Sequence, residues 1–170
     1  VEKIAKKIGY VRESIFGGLW SFESNEDKAD SAYTQEELRP HTDSTYSNDA
    51  PGLQLLLCCH YKASGGESIM VDGFKIAEKI KNEKREIYDL LTQIEVTGQY
   101  IGDGVFLKAK RPIFRVNSDN ELIQVSFNNY DRAPFKFSED KTKKFYEAIK
   151  EFDLIANNKE YQWRLSLIHI

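Results

Sequence analysis

The stretch His41-Thr42-Asp43-Ser44-Thr45-Tyr46 decides how this chain is read. Residues two apart in an extended segment point to one face, so His41 and Asp43 project together while Thr42 turns away. An imidazole and a carboxylate on one face are two of the three donors of a two-histidine, one-carboxylate facial site, a set that suits non-haem Fe(II) and leaves positions open on it. Alone the triplet is weak, because His-x-Asp arises by chance and a loop pair that bonds locally has the same residues. What surrounds it adds weight.

Six blocks follow one another: Asp30-Ser31-Ala32-Tyr33-Thr34, then His41 to Tyr46, Pro51-Gly52-Leu53-Gln54, Gly65-Gly66-Glu67-Ser68, Val71-Asp72-Gly73-Phe74 and Asn128-Asn129-Tyr130-Asp131-Arg132. In this order they resemble the trimethyllysine and gamma-butyrobetaine dioxygenase family, a taurine-dioxygenase-like group, over nearly the whole chain. The resemblance implies an Fe(II)- and 2-oxoglutarate-dependent enzyme of carnitine biosynthesis, with ascorbate as activator. Its implied reaction is hydroxylation of a trimethylammonium amino acid. The blocks His41 to Tyr46 and Asn128 to Ala133 lie nearer the trimethyllysine branch, with gamma-butyrobetaine as the alternative substrate. Two readings come from other classes: a non-catalytic fragment that only binds partners, and a zinc hydrolase using the same pair. The hydrolase is disfavoured because no base or nucleophile accompanies the motif.

Carried over residue by residue, the resemblance makes His41 and Asp43 metal ligands and gives the Ser68 hydroxyl to the 2-oxoglutarate carboxylate; the bland reading of Ser68 is a turn-edge serine. A quaternary ammonium has no hydrogen to donate, so aromatic faces and nearby negative charge recognise it. Phe16, Trp20 and Tyr33, with Asp30 close by, match such a cage, although aromatic residues are more often core. Asn128 and Asn129 stand where amides orient the substrate's polar end, against a competing role in a β-turn. Arg132 reads as structural. The third ligand is unassigned: His60 reads as a core or strand-end residue, and His169 has flanks that match no block.

Composition sets bounds. The 170 residues suit one domain. A net charge of −3 from 24 basic and 27 acidic residues, evenly mixed, argues against nucleic acid and against an anionic membrane, leaving a small molecule as partner. The longest apolar run, Leu53 to Cys59, is far short of the roughly 20 residues that span a bilayer. Adjacent Cys58 and Cys59 make a poor disulfide and read as buried thiols in a reducing, intracellular compartment, mitochondrial or cytoplasmic. A homodimer is allowed as the assembly of the complete protein. Residues 1–164 are expected to be a partial dioxygenase domain, incomplete at its C-terminus, and residues 165–170 a foreign tail.

The coarse pattern predicts a helix over residues 1–8 ended by Gly9, and strands at Leu53 to His60 and Glu67 to Val71 flanking the Gly65-Gly66 turn. One long helix is predicted from Phe74 to Ile94, on the stripe Phe74, Ala77, Ile80, Ile87, Leu90, Leu91 and Ile94. A hairpin joins Pro112 to Asn117 with Glu121 to Asn128, where Ile123, Val125 and Phe127 alternate with polar residues. Ser138 caps a last helix on the stripe Phe145, Ala148, Ile149, Phe152 and Ile155. Short strands with covering helices suit a mainly β, double-stranded β-helix jelly roll, which the resemblance also implies.

Overall fold

Asp72 fixes where the helical layer begins. Its carboxylate accepts from the backbone N–H groups of Phe74 and Lys75, two of the donors that the first turn leaves unpaired. The computed structural model describes residues 1–21, 23, 37–49, 51–62, 64–102 and 104–165. Along it run α1 (Glu2–Ile8), β1 (Ser68–Val71), α2 (Gly73–Glu83), α3 (Arg85–Gln93), β2 (Glu95–Gly102), β3 (Val105–Pro112), β4 (Phe114–Val116), β5 (Leu122–Val125), α4 (Glu139–Ala156) and β6 (Gln162–Leu165).

The core lies between the three longer helices and the β4–β5 hairpin. Ile76, Ala77 and Ile80 of α2, Tyr88 and Leu91 of α3, and Phe145, Phe152 and Ile155 of α4 close over Phe114 and Phe127. Phe114 is fully buried, stacked near Tyr88 and tilted against Phe152. Ser138 caps α4 by accepting from Lys141 N–H, and the stripe expected from the sequence is the buried face.

The strands pair as three two-stranded antiparallel sheets among the described residues, β1 with β6, β2 with β3 and β4 with β5. Strands with covering helices are thus observed. β6 brings Leu165 opposite Ser68. Residues 131–133 run along the free edge of β2: Gln99 N–H donates to Asp131 O, Ala133 N–H donates to Thr97 O, and Gly98 bridges Arg132.

Four expectations are corrected. The single helix from Phe74 to Ile94 is two, broken at Lys84, whose backbone (φ −141°, ψ 64°) leaves the helical region; Phe74, in the first turn of α2, is exposed and not part of the buried stripe. Leu53 to His60 is not a strand. No described segment pairs with it, and Leu53, Leu55, Leu56 and Leu57 face outward. Cys59, on the same run, is exposed and Cys58 only partly covered, so neither is a buried thiol; His60 is exposed too. In β5, an irregularity opposite Arg115 and Val116 shifts the register, so Leu122 packs on the core and Ile123 faces out. The β2–β3 hairpin was not expected.

Candidate metal and substrate site

The segment carrying His41 is stitched to the chain just after β5. Thr42 N–H donates to Phe127 O at 2.7 Å, and Phe127 N–H donates back to Thr42 Oγ1 at 2.9 Å. With Thr42 turned to that side, His41 and Asp43 meet on the other, Nε2 to Oδ1 at 3.3 Å. His41 Nδ1 lies 2.7 Å from Arg39 O, which can only accept, so Nδ1 carries the proton and Nε2 presents its lone pair when the ring is neutral. The Tyr130 ring meets the imidazole edge-on at 5.9 Å, and its hydroxyl accepts from Arg39 N–H. Tyr130 thereby contacts both the ring and the backbone of the residue whose carbonyl orients it. On the far side of the pair, Gln54 Nε2 donates to Asp43 Oδ2 at 3.2 Å.

Each partner shifts the other. The bond to Asp43 raises the His41 pKa above its ordinary value, outweighing burial, with help from the Arg39 carbonyl. The bond to His41 holds Asp43 below the ordinary carboxylate value, again against burial, with Gln54 assisting. Two donors each about 2.1 Å from one metal, at right angles, sit about 3 Å apart, close to the spacing seen here. An imidazole whose second nitrogen is pinned to a carbonyl is the usual form of a metal-ligating histidine. The donors therefore fit a divalent metal held by both, with the His41 ring neutral. Among the described residues no third histidine, cysteine, aspartate or glutamate completes a cluster with them.

The turn after Asp43 is held from three sides. Ser44 has φ 57°, the left-handed region, and Ser47 N–H donates to Ser44 O. Arg111, on β3, donates from Nη2 to the carbonyls of Ser44 (3.3 Å), Thr45 (3.2 Å) and Ser47. Burial, with Arg115 and Arg12 nearby, pushes the Arg111 pKa down. Arg12 reaches Asp49 O and Ser47 Oγ. Thr45 donates to Asp131 Oδ2 and packs so tightly under Gly98 that a Cβ there would lie 2.4 Å from Thr45 O.

The other expected residues are placed as follows. The Asn128 amide works within its own turn: Oδ1 accepts from Tyr130 and Asp131 N–H, and Nδ2 donates to Asp131 Oδ2. Asn129 is exposed at the rim of a narrow cleft that Thr45 and Arg132 also line. Arg132 has a buried Nη1 without a hydrogen-bond partner, and its guanidinium lies 5.2 Å from the Tyr146 ring centre. Ser68 opens β1; its neighbour Ile69 lines a cavity of about 380 Å³ together with Arg39, Pro40, Asp153 and Gln162. Phe16 and Trp20 are stacked, ring centres 4.7 Å apart and planes 26° from parallel. Asp30, Tyr33 and His169 lie outside the described residues. Sequence reasoning assigned no role to Gln54, although its block was recognised, and none to Arg111, for which no local signal exists.

A model of the taurine catabolism dioxygenase TauD, TfdA family matches residues 1–167. The chain belongs to this family of dioxygenases. Among curated relatives of this TauD/TfdA chain, a trimethyllysine dioxygenase of Meyerozyma guilliermondii is 38% identical across 96% of the chain and 43% of its own length. The mitochondrial trimethyllysine dioxygenase of Homo sapiens is 35% identical across 78% of the chain and 32% of its own length. A gamma-butyrobetaine dioxygenase of Homo sapiens is 29% identical across 98% and 44%. The chain thus spans less than half the length of the curated relatives it matches. Fe(II) and 2-oxoglutarate are the cofactors that membership of this family implies. No helix among the described residues is long and apolar enough to cross a membrane.

Proposed function

We propose that this protein takes part in the Fe(II)- and 2-oxoglutarate-dependent hydroxylation of trimethyllysine, on a jelly-roll scaffold, with ascorbate as activator. The observation that carries this reading is the convergence of His41 Nε2 and Asp43 Oδ1 at 3.3 Å, with the far atom of each side chain already fixed, Nδ1 by Arg39 O and Oδ2 by Gln54. The names of the relatives supply the substrate.

His41 and Asp43 would hold the metal. When bound, Fe(II) with 2-oxoglutarate supplies O2-dependent oxidation of an unactivated carbon. The chain's own residues position the reactants. The Ser68 hydroxyl donates to a 2-oxoglutarate carboxylate. The Phe16–Trp20 stack, with Tyr33 and Asp30, offers π-faces and negative charge to the trimethylammonium. Asn129, exposed beside the turn that Asn128 shapes, meets the amino-acid end. Gamma-butyrobetaine is the second reading, favoured by the relative that aligns over 98% of the chain. An intracellular location, mitochondrial or cytoplasmic, and a homodimer of the complete protein go with either.

The test is succinate formation by a family-length form of the protein given each substrate side by side. His41→Ala or Asp43→Ala should abolish it, because losing one donor leaves the metal under-coordinated. Turnover within about twofold of the parent, in either variant, removes the assignment. A preference for gamma-butyrobetaine replaces the first substrate with the second.

A further inference from the structure

Asp43 is aimed at His41 by a turn that does not hold itself. Ser44, next in sequence, sits at φ 57°, a conformation that residues with a Cβ adopt uncommonly and at a cost. The only bond that the turn supplies to itself is Ser47 N–H to Ser44 O, at 3.0 Å, among the described residues. Everything else comes from elsewhere, and the largest share comes from one side chain. Arg111 Nη2 faces the carbonyl oxygens of Ser44, Thr45 and Ser47 together. Three carbonyls turned to one point repel one another unless a cation lies among them. The planar guanidinium is such a cation, and it keeps its charge where a buried lysine would tend to lose it.

We propose that Arg111 is a positioning residue for the metal pair: by gathering the carbonyls of Ser44, Thr45 and Ser47, it holds the left-handed turn that aims the Asp43 carboxylate at His41. This rests on the reading of His41 and Asp43 as metal ligands. The hydrogen bonds of Arg111 go to the backbone carbonyls of the turn and not to either side chain. Without it, the three carbonyls separate, Ser44 relaxes toward an extended backbone, and the peptide that sets the direction of Asp43 rotates with it. His41 stays in place, because Thr42 is fastened independently to Phe127.

The probe is Mn(II), a hard divalent cation that accepts the same nitrogen and oxygen donors, titrated into the full 170-residue chain and followed by the electron-spin signal of the free ion. Arg111→Gln should weaken Mn(II) binding about tenfold or more, the usual cost of losing a group that orients a ligand, and Arg111→Lys should fall between. Adding Ser44→Gly to Arg111→Gln should restore most of the affinity, since glycine takes the left-handed backbone without a clamp. A cross-link that served only stability would not be rescued by a change at residue 44. If Arg111→Gln does not fold, Ser44→Val with Arg111 intact should weaken Mn(II) similarly, because a β-branched residue resists φ near 57°. Affinity within about twofold of the parent in folded Arg111→Gln, or in Ser44→Val, overturns the proposal. If His41→Ala and Asp43→Ala also bind as the parent does, the metal reading fails with it; if those two lose Mn(II) while the Arg111 and Ser44 variants keep it, only the role of Arg111 fails.

Discussion

Thr42 and Phe127 are bonded to each other in both directions, by a backbone N–H to a carbonyl at 2.7 Å and by a backbone N–H to a side-chain hydroxyl at 2.9 Å. This reciprocal pair joins the His41 segment to the hydrophobic core, because Phe127 itself is buried against Phe152. Thr42→Val keeps the shape and removes the acceptor, leaving Phe127 N–H unpaired at a part-buried position. The expected loss is about 1–3 kcal/mol of unfolding free energy, with Thr42→Ser near the parent. A denaturant midpoint for Thr42→Val equal to that of the parent would show that water replaces the hydroxyl at no cost.

The His41–Asp43 pair sets a pH window for the metal-free protein. The folded His41 pKa is raised, so its contribution is complete below the ordinary imidazole value, 6.5, and is lost as pH rises through the higher folded value. The folded Asp43 pKa is lowered, so its contribution is complete above the ordinary 3.8 and is lost as pH falls through the lower folded value. Both are therefore fully present between 3.8 and 6.5. Unfolding midpoints of the parent measured against Asp43→Asn should differ most inside that interval and converge on either side. Divalent metal, which needs the neutral Nε2, should bind more tightly as pH rises above it. A parent-to-variant difference that does not depend on pH would refute the linkage.

Gly98 of β2 lies directly against the turn that follows Asp43. A Cβ at this position would meet Thr45 O at 2.4 Å and Thr45 Oγ1 at 2.8 Å, backbone and hydroxyl that cannot both retreat. Gly98→Ala should cost about 1–3 kcal/mol by overpacking and should also weaken divalent-metal binding, because Thr45 is pushed toward Asp43. Gly52→Ala, where a Cβ meets nothing within 4 Å, is the control and should do neither. Unchanged thermal unfolding of Gly98→Ala would mean that the strand and the turn do not touch.

Trp20 stacks on Phe16 and remains 38% exposed, so one face is covered and part of the ring is open. If that open part meets a trimethylammonium, Trp20→Ala in the family-length protein should weaken trimethyllysine by the worth of a cation–π contact, about 0.5–2 kcal/mol, while 2-oxoglutarate binds as before. Equal weakening of both ligands would identify Trp20 as a packing residue.

Much of this fold can be read locally, and the failures share a cause. The last helix is legible because Ser138 caps it and its stripe recurs every three or four residues, both properties of one segment. The break at Lys84 is not, because Ile80 and Ile87 lie two helical turns apart and the periodicity runs straight across it. The β2–β3 hairpin does carry a local signal, the dipeptide Asp103-Gly104 between two β-rich runs. Leu53 to His60 has a strand's composition, but composition cannot supply the neighbour that a strand needs. At the site, the shared face of His41 and Asp43 follows from alternation. The group that holds their turn is 64 to 67 residues further along, and nothing near Arg111 announces it.

The hydrogen bond from Gln54 to Asp43 ties the His41–Asp43 pair to the exposed leucine run that begins at Leu53. Anything that orders this run, whether a neighbouring strand or another molecule, also changes how firmly the Asp43 carboxylate is held. The coupling is reciprocal: a cation bound at Asp43 would favour, by the same free energy, any arrangement of the run that keeps this bond. The Gln54 amide is thus common to the His41–Asp43 pair and to the leucine run, so a change at either reaches the other through it.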